Sequence, residues 1–139
     1  RKESSAASDV YKRQAFAPVL AANGGGAIIN VLSDATWFAR PMLAAYSASK
    51  SAAWSFTNAL RIELRSQQTA VLGLHVSFMD TDMTHGFDMK KTGPGVVAEA
   101  ALAGIEAGHE EVLADEFTRD VKGSLASAQA IYLDPPEIA

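Results

Sequence analysis

Residues 27–50, AIINVLSDATWFARPMLAAYSASK, decide the fold. They open on AIINVL, Ala27 to Leu32, an apolar run rich in branched side chains. Such a run suits a strand buried on both faces, as in a parallel sheet. Ser33 to Met42 then reads as a loop with Pro41 near its end. From about Ala45 to Gln67 the spacing predicts one long helix, with Ala48, Ala52, Phe56, Leu60 and Leu64 along its apolar face.

Outward from this core the alternation continues. VLGLHVSF, Val71 to Phe78, reads as a second buried strand, and Thr81 to Lys91 as a polar, Met-rich loop. Pro94 stands where a helix begins, and the pattern runs to Gly108. A short strand around Val112 to Ala114 and a helix from about Asp115 to Ala126 complete the series. Upstream, Ala15 to Asn23 reads as the end of an amphipathic helix, with Pro18 a kink and Gly24 to Gly26 stopping it. Residues 1–14, RKESSAASDVYKRQ, show no period and read as a disordered or non-native tail. Alternating strands and helices predict a parallel α/β sheet.

Composition narrows the function classes. Of the 139 residues 48% are hydrophobic and 20% charged, an ordinary globular balance, and the net charge is −4. Basic residues are dispersed, so no stripe is offered to a nucleic acid. There is no cysteine, which fits a reducing cytoplasm, and His75, His85 and His109 lack metal spacing, so no metal is expected. No apolar stretch approaches a membrane span.

The chemistry-bearing feature is Tyr46 and Lys50 at the start of the long helix. Residues four apart share a helix face, with β-carbons about 5–6 Å apart. Bringing a phenol from about 10 to neutrality needs about 3–4 kcal/mol. A unit charge about 5 Å away, at an effective dielectric of about 20, supplies on the order of 3 kcal/mol. Three tyrosines in the chain make the pair weak on its own. Ser33 strengthens it: a residue directly after a parallel strand points into the crevice where α/β proteins bind ligands.

IINVLSDATWFARPMLAAYSASKSA resembles the short-chain dehydrogenase/reductase pattern, with Asn-x-x-Ser after a strand and then Tyr-x-x-x-Lys in a Tyr-x-Ala-Ser-Lys context. LHVSFMDTDMT is similar to that family's segment over the nicotinamide. The resemblance implies a partial Rossmann-type doubly wound parallel sheet, holding the last three strands and their flanking helices. It implies that residues 15–139 are the C-terminal portion of a single domain of an NAD(P)-dependent oxidoreductase interconverting an alcohol and a carbonyl. By the same resemblance Tyr46 is general acid/base, Lys50 lowers its pKa and holds the nicotinamide ribose, and Ser33 orients the reacting oxygen. Met79, through its backbone, and Thr81 join Tyr46 and Lys50 as cofactor contacts, the cofactor being NAD or NADP. Trp37, Phe38, Met83 and Phe87 fall where the family forms its substrate pocket, and are equally readable as loop packing. A small alcohol or carbonyl substrate and a homodimer or homotetramer are implied partners.

Several features depart from the pattern. Val76 and Ser77 stand where the family has Pro-Gly. Gly24 to Gly26 follow a helix and precede a strand, so they read as a turn rather than a dinucleotide loop. The tetrad asparagine would fall near Ala6, where none is present. The isolated chain is therefore expected to bind dinucleotide poorly, and AIINVL to carry an unpaired edge. The alternative is a noncatalytic relative that binds a dinucleotide or a protein. Arg61, Glu63 and Arg65 read as a solvated face, and Asp115 and Glu116 as acids favoured at a helix N-terminus.

Overall fold

The computed structural model describes residues 15–136. The tail through residue 14, the region of Ala6 and residues 137–139 lie outside the described residues. Three parallel strands, β1 (Gly26–Val31), β2 (Thr69–His75) and β3 (Glu111–Leu113), lie in the order β1-β2-β3. Four α-helices flank them: α1 (15–22), α2 (Ala44–Glu63), α3 (Pro94–Glu106) and α4 (Glu116–Ser124). The expected class, a partial doubly wound α/β sheet, is the observed one. Among the described residues β1 pairs on one side only, with β2, from Gly26 against Thr69 to Val31 against Leu74.

Double winding follows from the period-two alternation of β2. Leu72 and Leu74, with Val76 just beyond the strand, point to one face, where they pack on Val97 and Ala101 of α3. Val71 points to the other face and packs with Leu60 of α2 and Leu64. Helices therefore cover both faces, which is why the strands are so uniformly apolar. On the α3 face, Gly104 lets the helix approach closely, since a Cβ there would meet Val112 at 2.4 Å and Leu72 at 3.0 Å.

Some boundaries move for identifiable reasons. β2 begins two residues earlier than predicted, where Thr69 is buried opposite Gly26, and stops at His75. Beyond it the Ser77 amide donates to the Asp115 carboxylate, 2.8 Å, instead of to a neighbouring strand. α2 ends at Glu63 in a 3-10 turn, Leu64–Gln67, closed by Gln68 in the left-handed region at φ 58°. The glycine turn is as read: Gly24 and Gly25 have φ of 83° and 110°, and a Cβ on Gly25 would meet the Gln68 carbonyl at 2.4 Å.

The buried face of α2 needs correction. Leu60 and Leu64 are buried as read and Phe56 packs on them, but Ala48 and Ala52 are exposed, and Ser47, Ala53 and Thr57 are buried in their place. Thr57 donates to the Ala53 carbonyl at 2.7 Å within the helix and accepts from Asn30 of β1 at 2.9 Å, a polar tie beside the apolar contacts of Leu60. Arg61 is also not a solvated residue. Its guanidinium donates to the carbonyls of Val71 and Glu110, at 3.0 and 2.9 Å, and so ties α2 to the sheet. Glu63 and Arg65 are exposed as read, Arg65 pairing with Glu110 at 3.3 Å. Asp115 caps α4 by accepting from the Thr118 amide at 2.9 Å, as its position suggested.

Candidate active site

Ser33 lies one residue past Leu32, which continues the β1–β2 ladder through its amide to the Leu74 carbonyl, 2.7 Å. Asp34 repeats that contact to Val76. The chain then turns into a 3-10 helix, Asp34–Thr36, whose N-cap is Ser33. Pro41 opens a second 3-10 turn that leads into α2, so Tyr46 and Lys50 return over the end of β1. The Lys50 ammonium donates to the carbonyl of Val31, the last residue of β1, at 3.0 Å, and lies 5.7 Å from the Tyr46 ring centroid. Ser33, Tyr46 and Lys50 thus meet at the C-terminal end of β1.

The Ser33 hydroxyl is engaged by its own loop. It donates to the Asp34 carboxylate at 2.9 Å while its oxygen accepts from the Ala35 amide at 3.1 Å. The phenol of Tyr46 is pushed above the ordinary tyrosine value, first by burial and further by the charge of Asp34, against a hydrogen bond with Ser33 that pulls it down. Desolvation and an acid adjacent to Ser33 outweigh the effects that favour the phenolate.

Behind Ser33 stands His75, fully buried and stacked on Trp37 with ring centroids 4.2 Å apart. Its Nδ1 is 3.1 Å from the Ser33 carbonyl, which can only accept, so Nδ1 carries the proton. Nε2 is 3.4 Å from Glu111, but Lys122 also binds that carboxylate, and burial dominates: the imidazole is lowered to about 4 and stays neutral. No apolar or helical period marks His75 as special. Its signal in the sequence is a single polar residue within VLGLHVSF.

The loop after β2 is built around Thr84. Its hydroxyl bonds the Met79 carbonyl and accepts from the Thr81 amide at 3.3 Å, while Met79 and Thr92 form an isolated parallel bridge. The bridge uses the Asp80 amide, donated to Thr92 at 3.0 Å, and the Met79 amide has no partner among the described residues. Thr81 is exposed. Val76, at the family's Pro position, belongs to the α3-side core, and Ser77 is held by Asp115, so this departure serves packing.

The aromatic candidates divide. Trp37 packs on His75 and edge-on against Trp54, and Phe38, 5% exposed, packs edge-on against Phe117. Phe87 lies against Phe78, and Met83 is 84% exposed. A cleft of about 560 Å³ lies over the ends of β2 and β3, lined in part by Phe78, Met89, Asp115 and Phe117. None of Ser33, Tyr46 and Lys50 lines it. Among the described residues no His/Asp/Glu cluster fits a metal and no helix is long and apolar enough to cross a membrane.

A family profile described as short chain dehydrogenase matches residues 6–92. The chain belongs to that family. An uncharacterized oxidoreductase of Staphylococcus aureus (strain N315) is 30% identical over 96 residues, 67% of this chain and 42% of that protein. A short chain dehydrogenase from Burkholderia cenocepacia, solved in complex with NADP, is 34% identical, with a TM-score of 0.81 over 86% of this chain and 51% of that one. A gluconate 5-dehydrogenase from the same organism, 22% identical, shares the fold with a TM-score of 0.64 over 73% of this chain and 48% of its own. The chain therefore spans about half the length of these relatives.

Proposed function

We propose that residues 15–139 form the C-terminal, catalytic portion of one Rossmann-type domain in an NAD(P)-dependent oxidoreductase that interconverts an alcohol and a carbonyl. The observation that carries this reading is the meeting of Ser33, Tyr46 and Lys50 at the end of β1. The residues fit the nicotinamide end of a dinucleotide. Lys50 and Tyr46, together at the end of β1, would take the ribose, and the unpartnered Met79 amide, near exposed Thr81, would donate to the carboxamide. NADP in the B. cenocepacia relative supports the same assignment, and the cofactor is NAD or NADP. Such a cofactor supplies or accepts the hydride.

The chain's own residues handle the proton and the orientation. Ser33, beside Asp34, hydrogen-bonds Tyr46 in the sense that favours the phenolate, so its hydroxyl would donate to that oxygen or to the substrate oxygen. A phenol raised above its usual value is protonated at neutral pH, which suits donation to a carbonyl in the reducing direction. Alcohol oxidation needs the phenolate, so its rate rises toward alkaline pH. Phe78, Phe87, Met83, Trp37 and Phe38 are proposed to wall or support the substrate site, and the substrate is a small alcohol or carbonyl compound.

A homodimer or homotetramer is part of the proposal. Its support is the exposed stripe of α2, Ala45, Ala48, Ala52, Ser55, Ala59 and Ile62, whose alternating three- and four-residue spacing suits close helix pairing. The function is tested by Tyr46→Phe in the full-length protein. Turnover is expected to fall about 10²-fold or more, with dinucleotide binding retained. Turnover that survives the change would remove Tyr46 from the acid/base role.

A further inference from the structure

His75, the last residue of β2, shares the α2 face of the sheet with Val71 and is fully buried. An apolar side chain is the ordinary occupant of such a position. The imidazole reaches from β2 to the loop after β1, where Nδ1 donates to the Ser33 carbonyl at 3.1 Å. That carbonyl also accepts from the Thr36 amide at 3.1 Å, so both of its lone pairs are taken. Thr36 closes the 3-10 turn that Ser33 caps. The main chain of Ser33 is therefore clamped twice, once by its own loop and once by the neighbouring strand.

The ring that makes the second clamp is itself held. One face lies on Trp37, with planes 16° apart, and Trp37 is braced edge-on by Trp54 of α2 at 6.4 Å. The His75 carbonyl accepts from the Ala114 amide at 2.9 Å, which anchors the strand end to the segment after β3. Charged groups face the ring from every side: Asp34 from the loop, Glu111 from β3, Arg61 from α2 and Lys122 from α4. Glu111 approaches Nε2 to 3.4 Å, but its carboxylate is engaged by Lys122, and Nε2 has no hydrogen-bond partner. With the proton on Nδ1, Nε2 presents only a lone pair, which a carboxylate oxygen cannot bond. The side chain thus makes one hydrogen bond, and its acceptor is Ser33. A buried polar group left half satisfied is tolerated mainly where function requires it.

We propose that His75 is a positioning residue for the reaction, holding the Ser33 carbonyl so that the Ser33 hydroxyl stands at a fixed place beside Tyr46. The proposal rests on the oxidoreductase reading and adds to it a residue that touches neither substrate nor cofactor. Displacing a reacting or orienting group by about 1 Å can cost about 10²-fold in rate, so a clamp on main chain directly behind such a group matters to turnover.

The test follows reduction of cyclohexanone and acetophenone by the full-length protein with NADPH or NADH. His75→Phe keeps a ring against Trp37 and removes the donor. It is expected to lower kcat by about 10-fold or more, with KM and dinucleotide affinity changed by less than about twofold. His75→Asn, whose amide nitrogen stands as many bonds from Cα as Nδ1 does, is expected to restore most of the rate. His75→Gln, whose nitrogen stands one bond further out, is expected to restore little. Should His75→Phe not fold, the Asn and Gln pair decides, and equal rates in the two overturn the proposal. In a Ser33→Ala background His75→Phe is expected to lower kcat by less than about twofold more, because the hydroxyl it would displace is gone. A full second loss in that background, or a His75→Phe enzyme at the wild-type rate, overturns the proposal. Leu72→Ala controls for lost stability and should keep the wild-type kcat; a loss equal to that of His75→Phe also overturns it. If the wild type binds dinucleotide and reduces neither ketone, that counts against the oxidoreductase reading, and titration of the Tyr46 phenol decides for His75. A pKa raised in His75→Phe as in Ser33→Ala supports the clamp, and an unchanged one overturns it.

Discussion

The two faces of the sheet differ in kind. On the α3 face, Leu72, Leu74, Val76, Val97 and Ala101 form a core cluster of apolar side chains only. On the α2 face and over the strand ends, buried Asn30, Ser33, Asp34, Arg40, Ser47, Thr57 and His75 share the interior with apolar neighbours. Among the described residues the buried side-chain atoms without partners belong to Asp34, Arg40, Ser47 and His75 of this second group and to Thr36 and Trp37 of the same loop. One face of a small sheet can be given over to stability while the other carries polar groups at a cost. Polar burial without full satisfaction is tolerated mainly where chemistry requires it.

The contrast can be broken first on its dry side. Leu72→Ala should destabilise the protein by about 2–5 kcal/mol, because a fully buried side chain leaves a cavity between β2 and α3. Urea unfolding checks this. The contrast requires that the pH dependence of unfolding stay that of the wild type.

The second change acts on the wet side and is read through pH. His75 has a folded pKa of about 4 against about 6.5 in the unfolded chain, so the unfolded state takes up the proton first as pH falls. The stability tied to its neutral form is complete above pH about 6.5 and is lost progressively toward pH 4, to a total of about 3 kcal/mol. His75→Phe keeps a ring against Trp37 and removes the titration. Unfolding between pH 4 and 7 should become flatter, and an unchanged slope would contradict the neutral, buried imidazole.

A third, smaller effect returns to the dry face. Gly104→Ala should cost about 1–3 kcal/mol, since the new methyl meets Val112 and Leu72 across a closed helix–strand contact. Gly123, where a Cβ would meet nothing within 4 Å, is the control, and Gly123→Ala should not destabilise.

The sequence disclosed the dry face almost completely, because parallel strands buried on both sides are written in uninterrupted apolar runs. The meeting of Ser33, Tyr46 and Lys50 was equally legible, its spacing being carried within one loop and one helix start. What periodicity missed was polar burial. Ala48 and Ala52 suggested part of the inner face of α2, while Thr57 is buried there with a hydrogen bond from Asn30, 27 residues away, which only folding brings near. Arg61 looked solvated because its acceptors, Val71 and Glu110, are 10 and 49 residues away. Asp34, Arg40 and His75 stood in plain view as lone polar residues in apolar text. The effect of Asp34 on Tyr46 and the contact of His75 with Ser33 depend on distances that spacing does not encode.

The most direct measurement is titration of the Tyr46 phenol itself, by carbon NMR of ring-labelled tyrosine, in the wild type, Ser33→Ala and Asp34→Asn. The account predicts a pKa above the ordinary value near 10 in the wild type. It should rise further in Ser33→Ala, where a hydrogen bond favouring the phenolate is lost, and fall in Asp34→Asn, where a raising charge is removed. A wild-type phenol titrating below 10, or one indifferent to both substitutions, would contradict the coupling of Ser33, Asp34 and Tyr46 on which the wet face is built.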